Sequence, residues 1–260
     1  MTSVKRLTLA VLLLFMPLMM GQNYGSGIAM VNQQPAGAAS AWTLISETAC
    51  TGTTGTDLDG FESFTEIKST SGNHPTIQSN VCNCVKGTSS ECHLLEWTDA
   101  ASSADVAVSF KWNDFDAAVG NDIAFGFRLN TTTKTGYTAT VDPDGGDPVI
   151  CTTDWDTTGF CVTAQHSGAC DTGAMPVWGV GDYGGVVVTG TGSAVKFEWY
   201  DLGTSKPTTG PDTWSGLDCV VSPAPSVEYD DADGTFALRM RSADVAGNDT
   251  EIDDIMFWTK

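Results

Sequence analysis

Over residues 105–142 apolar and polar positions alternate with a period of two. Val106, Val108, Phe110 and Trp112 are apolar, with Ala107, Ser109 and Lys111 between them. Ile123, Phe125, Phe127 and Leu129 repeat the pattern around Ala124, Gly126 and Arg128, and Tyr137, Ala139 and Val141 give a third copy. Side chains of a strand point to opposite faces in turn, so each run presents one apolar face. Asn113-Asp114, Gly120-Asn121 and residues 130–136 supply turns between the runs. Val195, Phe197 and Trp199, and later Phe236, Leu238 and Met240, show the same phase. Shorter strands are expected at 41–45, 61–68, 94–97, 177–180, 186–189 and 251–259. No window carries a helical period of useful length. Antiparallel strands with one apolar face need a second layer, so the pattern predicts an all-β, two-sheet antiparallel β-sandwich.

The first residues stand apart from this pattern. Lys5 and Arg6 precede an apolar run over 7–20. The run is shorter than the roughly 20 residues of a membrane helix and has the layout of a secretory signal peptide. Residues 1–21 are therefore expected to be a signal peptide, 22–41 a flexible leader, and 42–260 a single domain; an uncleaved membrane anchor is the alternative for the first segment. Export is the setting in which eight cysteines suggest disulfides. Proximity groups Cys50, Cys82, Cys84 and Cys92 in one set and Cys151, Cys161, Cys170 and Cys219 in another, with the pairing inside each set open. A zinc site from Cys82, Cys84, Cys92 and His93 is the alternative for the first set. With 32 acidic against 12 basic residues, the chain lacks the basic surface that nucleic acid requires.

Gly60-Phe61-Glu62 lies near the start and Ile252-Asp253-Asp254-Ile255 in the last strand. This pairing resembles secreted jelly-roll (concanavalin A-like) domains, such as carbohydrate-binding modules and MAM or laminin-G-like domains, over residues 41–260. The resemblance implies a sandwich of jelly-roll type, here stapled by disulfides. It also implies one structural calcium shared by Glu62 and Asp253 or Asp254.

Asp/Gly-rich turns supply the oxygen ligands that hard cations take. Further calcium candidates are thus Asp57 and Asp59; Asp142, Asp144 and Asp147; Asp230, Asp231 and Asp233; and Asp249. The other reading of these turns is that Asp-Gly pairs simply make them. Trp112 and Trp199 are in phase with the core, whereas Trp155, Trp178, Tyr183 and Trp214 fall in or beside loops and are the candidate sugar-stacking surfaces. Lys111, Arg128, Lys196, Arg239 and Arg241 occupy out-of-phase positions, joined by Glu198 and Tyr200. If their strands share a sheet, they form a basic face for a hydroxyl-rich or anionic glycan; the plainer reading is a solvated face with cross-strand ion pairs. Asn130-Thr131-Thr132 and Asn248-Asp249-Thr250 are glycosylation acceptors.

A catalytic signature is missing. Residues 251–256 partly resemble the E-x-D-x-E strand of jelly-roll glycoside hydrolases but lack the second glutamate. His74, His93 and His166 are isolated, without a nucleophile motif. The expectation is a secreted, non-catalytic carbohydrate-binding domain with structural calcium. Its partner would be a glycan or cell-surface polysaccharide, with no nucleic acid, and with a membrane only if the signal segment stays uncleaved. One alternative is a structural subunit of an extracellular filament, surface layer or virion that self-assembles through its leader; another is a glycoside hydrolase.

Overall fold

The computed structural model describes residues 41–66, 75–84, 92, 95–97, 105–115, 123–130, 132–133, 135–154, 159–223, 229, 234–241 and 249–260. Residues 1–40, which hold the expected signal peptide and all of the expected leader except Ala41, lie outside them, as do Trp155, Asp230, Asp231 and Asp233. The strands run in chain order β1 (Thr43–Thr48), β2 (Phe64–Glu66), β3 (Thr76–Gln78), β4 (Val81–Cys84), β5 (Leu95–Trp97) and β6 (Val106–Asp114). They continue with β7 (Ile123–Leu129), β8 (Thr135–Val141), β9 (Val149–Asp154), β10 (Gly159–Ser167) and β11 (Thr172–Gly173). The last are β12 (Tyr183–Thr189), β13 (Lys196–Gly203), β14 (Leu217–Val221), β15 (Thr235–Met240) and β16 (Thr250–Thr259). Among the described residues no helix is long and apolar enough to cross a membrane.

Two antiparallel sheets form a jelly-roll sandwich. One has nine strands in the order β11-β14-β13-β12-β6-β16-β4-β3, with β1 also paired to β16; the other has seven, β10-β9-β8-β7-β15-β5-β2. The chain changes sheet at β5-β6-β7 and again at β14-β15-β16. The last strand therefore lies at the centre of the nine-stranded sheet, flanked along its length by β6 and on its other edge by β1 and β4.

The sandwich interior is built from the phased residues. Val106, Val108, Phe110 and Trp112 of β6 meet Ile123, Phe125 and Phe127 of β7 and Phe236, Leu238 and Met240 of β15 in one buried cluster. Ring contacts join the layers: Phe110 to Phe125 at 5.0 Å between centroids and Phe236 to Phe257 at 4.5 Å. The Trp199 indole N–H donates to the Thr140 carbonyl of the opposite sheet (3.1 Å), which satisfies its one polar atom inside the core.

Cys50 pairs with Cys82, Cys84 with Cys92, and Cys170 with Cys219; Cys151 is disulfide-bonded too. Cys82 and Cys84 thus belong to two different disulfides, and their thiolates are not available for the zinc alternative. The basic residues do not share a sheet. Lys111 and Lys196 are on β6 and β13 of the nine-stranded sheet, whereas Arg128 and Arg239 are on β7 and β15 of the seven-stranded one. Alternation fixes the face of a strand and leaves its sheet open, so the single basic face is replaced by two separate sets.

The Cys170–Cys219 bridge closes a separation of 49 residues and holds the two-residue edge strand β11 against β14. Loop-closure entropy for that length is about 4 kcal/mol. Replacing both cysteines by alanine is expected to lower stability by roughly 2–4 kcal/mol in urea denaturation while the β-sheet circular dichroism is retained.

Candidate functional site

The outer face of the nine-stranded sheet carries the main concentration of outward-facing chemistry, and register explains why. Along β16, Ile252, Ile255 and Phe257 enter the interior, whereas Met256 and Trp258 belong to a second apolar cluster. Two residues, Asp253 and Asp254, lie between the inward Ile252 and Ile255 where strict alternation allows one. The pairing records the extra residue: Asp253 faces Lys111 and Met256 faces Ser109, so the step of three on β16 meets a step of two on β6. Asp254 takes a φ of 47°, unusual for a residue with a side chain. Such a bulge re-aims side chains, and here it turns two carboxylates toward the outer face.

The carboxylates are held by a fixed set of partners. Tyr183 Oη donates to Asp254 Oδ2 (2.6 Å), and Lys206 Nζ donates to Asp254 Oδ1 (2.8 Å) and to Glu47 Oε1 (2.5 Å). Asp253 Oδ1 accepts the Asp254 backbone N–H (2.8 Å). Burial pushes the Asp253 carboxyl up to about 6, helped by the neighbouring Asp254 charge and opposed by that N–H. Asp254 moves the other way. Burial acts to raise it, but the hydrogen bonds from Lys206 and Tyr183 win and hold it below the usual carboxylate range. Burial likewise works against the Lys206 ammonium and is outweighed by Asp254 and Glu47, so its pKa is raised. Tyr183 is raised by burial and by the Asp254 hydrogen bond and stays protonated.

Next along the same face is an aromatic cluster. Trp42, Tyr183, Tyr200, Met256 and Trp258 pack together, with Leu202 and Trp214 partly buried on top. Trp214 stands edge-on to Tyr200 (5.6 Å) and to Trp258 (6.3 Å). It rests on the sheet because Gly185 has no side chain there; a Cβ would lie 2.6 Å from the indole. The segment between β13 and β14 that carries Trp214 also carries Lys206. It is tied internally by the Trp214 indole N–H to the Thr209 carbonyl (2.8 Å), and to the start of the domain by Ala41 N–H to Asp212 Oδ2 (2.9 Å).

The other sequence candidates have different surroundings. Trp178 is buried, with its indole N–H donating to the Tyr200 carbonyl and its ring near Trp112. Position in a loop did not mean exposure, and Trp178 offers no face for stacking. Tyr183 is buried with its hydroxyl engaged. Arg128 is buried and donates to the carbonyls of Gly190 and Tyr229; Arg239 is buried in β15; Arg241 is half-buried. Arg128 and Arg239 are thus enclosed within the fold. Lys196 pairs with Glu198 two residues along the same strand (2.9 Å), an ion pair within β13 on a partly exposed face.

The acidic turns close on themselves. Asp57 Oδ1 accepts the Asp59 N–H, Asp142 Oδ1 the Asp144 N–H, and Asp144 Oδ1 the Gly146 N–H, as Asx turns do. Asp147 is exposed. Glu62 is exposed and shares no hydrogen bond or ion pair with Asp253 or Asp254 among the described residues. Among those residues no three acidic, histidine or cysteine side chains converge as a ready metal cage. Sequence reasoning missed Lys206, Glu47 and Trp258. The first two are brought in from distant segments, and the third is visible only as a residue in phase with Met256 on the outward face.

No family model matches the chain, and no curated protein matches it. Among solved structures, it is similar to a β-glucanase of Bacillus licheniformis (TM-score 0.46, 9% identity, 83% of this chain and 97% of that one). It is also similar to the exoplasmic/lumenal domain of VIP36 in a Ca2+/Man3GlcNAc-bound form (0.45, 8%, 75% and 81%). A third is the carbohydrate-binding module CBM66 of Bacillus subtilis (0.38, 15%, 76% and 92%). These are likenesses of architecture between chains of nearly unrelated sequence, and no function follows from them.

The strap formed by Lys206 is partly exposed, so screening limits its strength. A double-mutant cycle of Lys206→Met and Asp254→Asn is expected to give a coupling of about 0.5–1 kcal/mol in urea denaturation, falling with added salt. A coupling of zero would mean that the Lys206–Asp254 pair does not help to hold the segment down.

Proposed function

We propose that this protein is an exported, non-catalytic glycan-binding module, and that the sugar lies on the outer face of the nine-stranded sheet beside Trp214. One observation carries the proposal. A partly exposed indole sits over the row Gly185–Ser109–Met256, which Glu47 extends on β1, and Asp253 and Asp254 with Lys206 stand at the next outward row, Tyr183–Lys111–Asp253. Adjacent outward rows are about 7 Å apart along a strand, roughly the span of one pyranose ring. A sugar presents C–H groups on its faces and hydroxyls at its rim. An indole takes the first, and carboxylates and an ammonium fixed by each other take the second. Disulfides support an oxidising, extracellular or lumenal setting.

Hydrolysis is the second reading, favoured by the opposite displacement of the two adjacent aspartates. It ranks below binding because both oxygens of Asp254 are committed to Tyr183 and Lys206.

Affinity electrophoresis of the full chain through gels containing neutral β-glucan, mannan or soluble chitin derivatives tests the proposal. Retardation by at least one polysaccharide is expected, weakened by about tenfold or more in Trp214→Ala, as for an aromatic anchor, with the far-ultraviolet spectrum unchanged. Absence of retardation in every gel, or retardation indifferent to Trp214→Ala, overturns it. Release of reducing ends from a retained polysaccharide, lost in Asp253→Asn, would move the assignment to the second reading.

A further inference from the structure

Two charged side chains of the outer face stand opposite each other without forming an ion pair. Lys111 of β6 lies between Asp253 of β16 on one side and Tyr183 of β12 on the other. Its chain neighbours Phe110 and Trp112 enter the interior, so Lys111 points outward, as Asp253 does. Both are half-buried. Among the described residues Lys111 has no hydrogen bond or ion pair. Asp253 has one hydrogen bond, from the Asp254 N–H to its Oδ1, which leaves Oδ2 open. The groups around them are committed: Tyr183 and Lys206 to Asp254, and Lys206 also to Glu47.

Opposite charges that face each other across strands ordinarily attract into a pair. Here they stay apart, and the face keeps one free acceptor beside one free donor. Burial pushes the Asp253 carboxyl up to about 6; the Asp254 N–H opposes the rise, the Asp254 charge adds to it, and the Lys111 and Lys206 charges oppose it. Half-buried charges without a partner gain most from hydrogen bonds that a ligand brings. A lone hydroxyl would have to draw both charges into its own contact shell. Two adjacent ring hydroxyls meet them where they stand, one donating to Asp253 Oδ2 and the next accepting from Lys111 Nζ. The Trp214 indole lies one outward row away, about 7 Å along the strands, so one pyranose reaches all three.

We propose that Lys111 and Asp253 read a vicinal diol of a neutral hexopyranose, which selects polymers whose linked residues keep two adjacent free hydroxyls; this rests on the glycan reading above. A 1,4-linked glucan or mannan qualifies. A 1,3-linked glucan does not, because the linkage takes the middle hydroxyl of the three. A 1,4-linked polymer of 2-acetamido sugars does not, because nitrogen replaces one member of the pair. Acidic sugars are repelled: Asp253, Asp254 and Glu47 outnumber Lys111 and Lys206, and the next row along these strands, Asn83–Glu251–Asp114, adds carboxylates and no basic residue.

Affinity electrophoresis of the full chain through gels of 1,4-linked glucomannan, 1,3-linked glucan or glycol chitin tests it. Glucomannan is expected to retard the protein about tenfold or more strongly than the other two. Lys111→Met and Asp253→Asn should each weaken that retardation by about tenfold, the scale of one lost charge-assisted hydrogen bond, with the far-ultraviolet spectrum unchanged. A pH series separates recognition from a merely structural role. Asp253 is faced by Asp254, by Lys111 from β6, by Lys206 from the segment after β13, and beyond them by Tyr183 and Glu47. Its carboxylate is the better acceptor, so retardation should fall as pH drops through about 6, and what remains in Asp253→Asn should be flat over that range. Retardation that depends on Trp214 but is as strong in 1,3-linked glucan or glycol chitin overturns this inference and leaves the glycan reading standing. So does Trp214-dependent retardation unchanged in both Lys111→Met and Asp253→Asn. Absence of retardation in every gel overturns the glycan reading and this inference with it.

Discussion

One strand has to satisfy two dry faces. β16 lies at the centre of the nine-stranded sheet, with Ile252, Ile255 and Phe257 sealed in the sandwich and Met256 and Trp258 sealed under the outer aromatic cluster. Pure alternation would leave one polar position between Ile252 and its next inward neighbour. The extra residue at Asp254 allows two, without disturbing the apolar phase on either side. The strained φ of Asp254 is tolerated because its carboxylate is gripped by Tyr183 from β12, by Lys206 from the segment after β13, and through Lys206 by Glu47 from β1. Three parts of the chain distant in sequence thus converge on one irregularity. Removing it would shift every outward side chain beyond it to the other face.

That constraint separates what the sequence disclosed from what it did not. The inward phases of β6, β7, β8, β13 and β15 were legible, because a period of two is a local property of the chain. The assignment of strands to sheets was not, because two strands with the same alternation can lie in either layer. Lys111 and Arg128 therefore read alike and lie in different sheets. Trp178 was misread for a related reason. Its loop tucks the indole under the Tyr200 carbonyl, and nothing within a few residues of Trp178 announces that acceptor. Trp214, in a similar loop, lies flat on the sheet because Gly185 leaves room for it, and it stays partly exposed.

The acidic residues show the same divide. Aspartates at 57, 142 and 144 are spent within their own turns, as their spacing to glycine and to each other implied. The row Asn83–Glu251–Asp114 had no such spacing, since its members come from three strands far apart in the chain. Its sign in the folded protein is an imbalance: charge of one sign across neighbouring strands, with an amide whose oxygen has nothing to accept. The same sheet shows both outcomes: Asp218 of β14 is raised by burial and by the neighbouring Asp201 of β13, whereas other carboxylates are paired. Lys196 answers Glu198 and Lys206 answers Asp254.

The distribution of charge over the outer face also bears on chemistry. Retaining hydrolysis needs two carboxyls about 5 Å apart, one free to protonate a leaving group and the other free to attack. Asp253 meets part of the first requirement through its raised carboxyl. Asp254 cannot meet the second while Tyr183 and Lys206 occupy its two oxygens, since a nucleophile bonded on both sides must break strong contacts before it can react. The same contacts that disarm it as a nucleophile make it useful for recognition. A carboxylate whose position is fixed before the ligand arrives loses little entropy on binding. The outer face thus runs from a clamped carboxylate row to an indole laid over glycine, and the Lys206 strap joins the two because it lies on the segment that carries Trp214.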